Sequence, residues 1–142
     1  MSIDFTQPSW EADRFPGRHT ARVGAQAGAR ELGASVYELD PGAVGSPLHI
    51  HHANEELLLV LDGTVSLHGP NGTQLLRAGA VVVFPRGKTG AHSLVNRSDA
   101  PVRYLVVSTR RRPVTSRNLG SDMKPSNRSA WPTAAPVTRT LA

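Results

Sequence analysis

The stretch His49-Ile50-His51-His52-Ala53-Asn54-Glu55-Glu56 concentrates imidazole and carboxylate groups, and His92 follows much later in the chain. Side chains of an extended strand alternate between two faces, so His49 and His51 should point one way and Ile50 the other. Two imidazoles on one face, a carboxylate soon after and a third imidazole from a distant strand can enclose one divalent ion. Imidazole nitrogen with carboxylate oxygen suits Fe, Mn, Ni, Zn or Cu. The same alternation turns His52 away from His51, which makes it a loop or interface residue. His19 and His68 have no partner in sequence and read as surface residues. No nucleophile motif, phosphate-cradling glycine loop or dinucleotide fingerprint accompanies the histidines, so any chemistry falls to the metal.

Such ligands must be carried by short strands. From Gly33 onward, apolar runs alternate with turn signals at Asp40-Pro41-Gly42, Asp62-Gly63, Gly69-Pro70-Asn71-Gly72 and Arg77-Ala78-Gly79. This predicts strands over 34–39, 49–51, 56–61, 64–68, 73–76, 81–84, 92–96 and 102–108. Short strands with turns between them mean an all-β sandwich or barrel, and the pattern fits a jelly-roll barrel over residues 33–109. Residues 1–32 mix proline, glycine and charge, and read as an irregular arm with a short strand near His19 to Val23. Residues 110–142 are rich in Pro, Ser, Thr, Asn and Arg. They read as a mobile tail, or one draped over the barrel or a partner subunit through Leu119, Met123 and Trp131.

Composition narrows the function. A chain of 142 residues forms one domain. It has no cysteine, which excludes disulfides, thiolate metal sites and a cysteine nucleophile, and fits a cytoplasmic location. Residues 1–10 contain Asp4 and lack a basic head and an apolar stretch, so no signal peptide is expected. No apolar run approaches the roughly 20 residues of a membrane helix. The net charge of +5 is concentrated in the tail, where seven basic residues from Arg110 to Arg139 face Asp122 alone. The expected barrel is therefore near neutral, and no aromatic and basic pattern suggests nucleic acid.

The two ligand-bearing stretches resemble the paired motifs of the cupin superfamily. His49-x-His51, four residues, Glu56, six residues and Gly63 follow the first motif. Its leading glycine is off-register here, since six residues separate Gly42 from His49 and three separate Gly45 from it. Gly79, Pro85-x-Gly87, His92 and Asn96 follow the second motif. The four residues between Gly87 and His92 are two more than the family pattern has, which predicts a His92 set further from the metal. The resemblance covers about residues 33 to 108 and is greatest to small single-domain bacterial cupins.

This resemblance implies a cupin-type double-stranded β-helix, with the N-terminal arm and C-terminal extension outside it. It implies His49, His51, Glu56 and His92 as ligands of one divalent transition metal. Glu56 is preferred to Glu55 because only Glu56 leaves six residues before Gly63. With Glu56 inward, Leu58 and Val60 line the interior, and Leu57 and Leu59 pack outside. Leu94 and Asn96 share a face with His92 and would border a pocket with Leu58, Val60, Phe84 and Tyr104. Each apolar member is more often plain core than a substrate contact, and Asn96 could instead stabilise the turn at 97–99. The resemblance also implies a small-molecule ligand and a homodimer. Dioxygenase, isomerase, cyclase, decarboxylase and lyase chemistry all remain open, as does a non-catalytic binding or sensor module.

Overall fold

The structure is a computed structural model and describes residues 2–110. It contains nine strands: β1 (Arg18–Ala21), β2 (Leu32–Leu39), β3 (Val44–His49), β4 (Glu56–Asp62), β5 (Thr64–Gly69), β6 (Gly72–Arg77), β7 (Val81–Phe84), β8 (His92–Val95) and β9 (Val102–Thr109). A one-turn helix, α1 (Val23–Gln26), follows β1, and a 3-10 turn spans Lys88–Gly90. One sheet has the order β1-β2-β9-β4-β7 and the other β3-β8-β5-β6. All pairings are antiparallel. Two facing antiparallel sheets with these crossings make the expected jelly roll.

The alternation of apolar residues creates the core. On β4, Leu58 and Val60 are buried while Leu57 is exposed. Leu39, Leu58, Val60, Phe84, Val102 and Tyr104 of the first sheet meet Val65, Leu67, Leu76 and Leu94 of the second. Full burial of each such side chain is worth about 1.5–3 kcal/mol. The Asp62-Gly63 hairpin turn needs its glycine, which has φ +78° and would place a Cβ 2.7 Å from the Pro101 carbonyl oxygen.

The outer face of the first sheet is divided. Ala21, Val23 and Val36 pack there with Ile3, Ala34 and Leu105, so the N-terminal segment covers the β1–β2 side. On the other side Leu57 pairs with both Val83 and Val107, and Leu59 with Val81 and Leu105. Leu57, Val81 and Val83 are exposed.

Most predicted strands occur within two residues of their expected ends, but two expectations need correction. The extended segment at 49–51 is the end of a longer strand, β3, which stops at His49. Gly45 and Pro47 hide that strand from a propensity reading, and two register shifts against β8 accommodate it. His51 lies in the loop beyond, so the two histidines do not share a continuous strand face. In the arm, the expected short strand is β1, paired with β2 from Arg18↔Leu39 to Ala21↔Val36, while the helix α1 that follows it was not expected. The expectations for Leu119, Met123 and Trp131 lie outside the described residues. No helix among the described residues is long and apolar enough to cross a membrane.

His19 is more than a surface residue, because it links the arm to the β2–β3 turn. Its Nδ1 lies 3.0 Å from Asp13 Oδ2 and its Nε2 3.1 Å from Asp40 Oδ1. The hydrogen bond to Asp40, with further help from Asp13, raises the imidazole above its ordinary value of 6.5 against the opposing effect of burial. A raised value in the folded state stabilises fully below the unfolded value and is lost as pH rises through the folded value. The wild type should therefore lose stability relative to His19→Gln as pH rises from 6 towards 8. Both acids are well exposed, so the difference should not exceed about 1 kcal/mol. Parallel urea titrations of the two proteins check this, and pH-independent differences would contradict it.

Candidate metal centre

Three strands and a loop deliver the ligand candidates. His49 ends β3 and pairs directly with His92, the first residue of β8. Glu56 begins β4 in the opposite sheet and points into the barrel in register with Phe84 and Ser108. His51 reaches in from the β3–β4 loop. One ligand atom from each of His49, His51, Glu56 and His92 lies within 4.8 Å of all the others.

Two of the imidazoles are oriented by the same local device. The His49 Nδ1 is 2.7 Å from the Pro47 carbonyl oxygen, and the His92 Nδ1 is 2.8 Å from that of Gly90. A carbonyl only accepts, so each Nδ1 carries a proton and each ring turns its Nε2 inward. The His49 and His51 Nε2 atoms are 3.0 Å apart. Glu56 Oε2 lies 3.1 Å from His51 Nε2 and 3.5 Å from His92 Nε2.

The electrostatics favour neutral His92 and ionised Glu56. Burial is the main cause that lowers His92 to about 4. Burial also pushes the Glu56 carboxyl up, but the His51 hydrogen bond and the neighbouring imidazoles together hold it below its ordinary value. The Glu56 hydrogen bond in turn raises His51, against the effect of burial. The centre thus gathers lone pairs and a carboxylate with few protons to share. A cation satisfies such a set of acceptors, and three imidazole nitrogens with one carboxylate oxygen fit a borderline transition metal.

The longer loop before His92 does not set that residue back. Its extra residues form the 3-10 turn at Lys88–Gly90, which takes up the length before β8 begins. Gly87, at φ +85°, donates its N–H to the His51 carbonyl at 2.8 Å. That bond ties the loop bearing His92 to the loop bearing His51.

The remaining candidates divide. Phe84 stacks on the His92 ring at 3.7 Å with planes 12° apart. Leu58, Val60, Leu94 and Tyr104 are at most 3% exposed and belong to the apolar core, so they fill the barrel interior. Asn96 is fully buried, and its amide serves the turn expected as the alternative. It donates to the Leu39 and Ala100 carbonyls and accepts from the Ser98 backbone N–H and hydroxyl. His52 and Glu55 are exposed. His68 bonds to Thr73 on the neighbouring strand. The orienting carbonyls of Pro47 and Gly90 had no signal in the sequence, because every residue carries a carbonyl.

Comparison with known proteins agrees with this fold. Residues 35–108 match the Cupin domain family. A sugar phosphate isomerase of the cupin superfamily from Silicibacter pomeroyi is 30% identical, with 78% of this chain and 76% of that chain covered and a TM-score of 0.71. A putative sugar phosphate isomerase from Acidithiobacillus ferrooxidans is 30% identical over 66% of this chain and 59% of that one, with a TM-score of 0.62. The polyketide cyclase RemF from Streptomyces resistomycificus is 26% identical over 80% and 81%, with a TM-score of 0.66. No curated protein matches the chain significantly by sequence. The chain belongs to the cupin family.

Gly90 offers a direct test of the loop. A Cβ at that position would collide with the Pro85 carbonyl oxygen, which is backbone and cannot step aside alone. Gly90→Ala should destabilise the protein by roughly 1–3 kcal/mol, the usual range for overpacking. It should also broaden or shift the His92 ring signals in NMR spectra. An unchanged denaturation midpoint with unchanged His92 signals would contradict the packing described.

Proposed function

We propose that His49, His51, Glu56 and His92 hold one divalent transition metal ion, Fe, Mn, Ni, Zn or Cu. We further propose that the chain is a metal-dependent enzyme acting on a small, partly apolar molecule. The observation that carries this reading is the convergence of four ligand atoms within 4.8 Å, drawn from both sheets and the loop between them. A bound ion of this kind polarises a substrate oxygen or lowers the pKa of a bound water.

The protein groups have separate tasks in this reading. The Pro47 and Gly90 carbonyls keep the Nδ1 protons of His49 and His92 and so aim their Nε2 atoms inward. Burial keeps His92 neutral, and Glu56 supplies a negative charge. Phe84 covers one face of the His92 ring and excludes water there. The named activities of two similar structures, a sugar phosphate isomerase and a polyketide cyclase, favour isomerase or cyclase chemistry over oxygenase, decarboxylase or lyase chemistry. A non-catalytic binding or sensor module is the second reading. We place the protein in the cytoplasm, a reading supported by its lack of cysteine.

Elemental analysis of protein purified without chelator should find about one equivalent of a transition metal. The His49→Ala/Glu56→Ala double mutant should bind little or none while remaining folded. A wild type that takes up none of the five ions would remove the metal reading. An enzyme should lose turnover in Glu56→Gln, whereas a binding module should retain its ligand without turnover.

The reading also includes a homodimer. The uncharged row of Leu57, Val81 and Val83 on the outer sheet face supports it, because isolated domains seldom expose adjoining apolar rows. Light scattering at micromolar concentration should give a dimeric mass for the wild type and a monomeric mass for Val83→Glu. A monomeric wild type would remove the dimer, and a dimeric variant would move the interface elsewhere.

A further inference from the structure

β1 and β3 are edges of the two sheets, and a cleft with a volume of about 310 Å3 is lined by Phe15, Pro16 and Arg18 beside β1 and by residues 42–47. Its walls are mainly apolar, formed by Phe15, Pro16, Ala43, Val44 and Pro47. Arg18 is the only charged residue that lines it.

The surroundings of Arg18 are unusual for a guanidinium. Arg18 pairs with the buried Leu39, which directs its side chain to the inner side of the sheet. One terminal nitrogen, NH1, donates to the Gly45 carbonyl at 2.7 Å. The Phe15 ring lies 4.1 Å from the guanidinium carbon, and the Tyr37 ring 5.8 Å. Its Nε is buried without a hydrogen-bond partner. Among the described residues no carboxylate forms an ion pair with it, and the nearby acids Asp13 and Asp40 hold His19 instead. A buried donor without a partner is destabilising, as is a cation without a counter-ion, so such a residue is poised to gain from an incoming anion.

We propose that this cleft binds a small organic anion, a carboxylate or phosphate monoester on an apolar body, with Arg18 as its anion-binding residue. The second terminal nitrogen offers the first donors to such a head group, and a small shift that uncovers Nε completes a planar fork for two of its oxygens. The apolar walls take the body of the ligand. A bare inorganic anion gains only the first of these contacts and binds more weakly.

The anion-binding group is set apart from the metal centre. Gly45, to which Arg18 donates, and His49 are four residues apart on β3, at most about 13 Å of extended chain, although Pro47 lines the cleft and its carbonyl also orients His49. The inference therefore does not rest on the metal reading and is tested on the chain with or without added metal.

The test is a titration of the full chain with benzoate, phenyl phosphate and inorganic phosphate. The readout is the Arg18 Nε–H signal in proton–nitrogen correlation spectra. Benzoate or phenyl phosphate should move that signal saturably, and the stronger of the two identifies the preferred head group. Arg18→Gln should weaken binding about tenfold or more, and Arg18→Lys should restore part of it. No saturable shift in the wild type with either aromatic probe would overturn the proposal, as would equal affinity in a folded Arg18→Gln protein. Equal binding of inorganic phosphate and phenyl phosphate would overturn the role of the apolar walls. If Arg18→Gln does not fold, the wild-type titration and Arg18→Lys decide the matter.

Discussion

The direct pairing of His49 with His92 across β3 and β8 is the contact on which the rest of the centre depends. It brings together two residues that are far apart in sequence, and it does so through backbone hydrogen bonds rather than through the imidazoles themselves. The side chains meet as a consequence of strand register. Glu56 then completes the set from the other sheet, so the centre exists only when the sheets close on their shared core. That core includes Leu58 and Val60, which follow Glu56 on the same face of β4. The Glu56 carboxylate and the residues that stabilise its strand therefore obey one alternation, and a one-residue slip would expose all three together.

Register alone does not set the direction of a ring. An imidazole has two nitrogens, and a centre needs the correct one turned inward. Here the carbonyl two residues upstream fixes the ring for both His49 and His92. The repeated device explains why the histidines stand at strand ends. A residue inside a regular strand has its i−2 carbonyl committed to the sheet, whereas Pro47 and Gly90 lie at irregular points beside the ladder. His51 uses a different restraint. Its backbone carbonyl accepts from Gly87, so two loops hold each other and position ligands on both sides of the contact.

Much of this was legible in the sequence, for physical reasons. Strand positions could be read because apolar alternation and turn residues act locally, and Asp62-Gly63 shows both signals together. The four ligand candidates could be read because few other residues combine imidazole and carboxylate at such spacing. The start of β3 was hidden, since Gly45 and Pro47 weaken strand propensity and tertiary pairing with β8 overrides it. The loop before His92 misled because length was read as distance, while a 3-10 turn stores residues without extending the loop. The inward face of β4 was correctly anticipated, but whether its side chains line a space or fill it depends on volumes contributed by both sheets. Pairwise geometry of that kind, like the link from His19 to Asp13 and Asp40, leaves no trace in a one-dimensional pattern.

The same alternation that builds the interior also dictates the exterior. Once Glu56, Leu58 and Val60 face inward, Leu57 and Leu59 must face outward, and they align with Val81 and Val83 on β7. The chain covers the β1–β2 side of this outer face with its own arm, through Ile3 and Val23. Among the described residues, the β4–β7 side keeps large apolar side chains exposed with no charge among them. An apolar outer residue on a strand costs solubility unless something covers it. The inner side of the β1 edge shows the reverse imbalance, with the Arg18 cation set among apolar walls. Core packing explains neither feature, since the core is complete without them. Both are therefore better understood as surfaces that await a complement: an apolar face on one side, and an anion with an apolar body on the other.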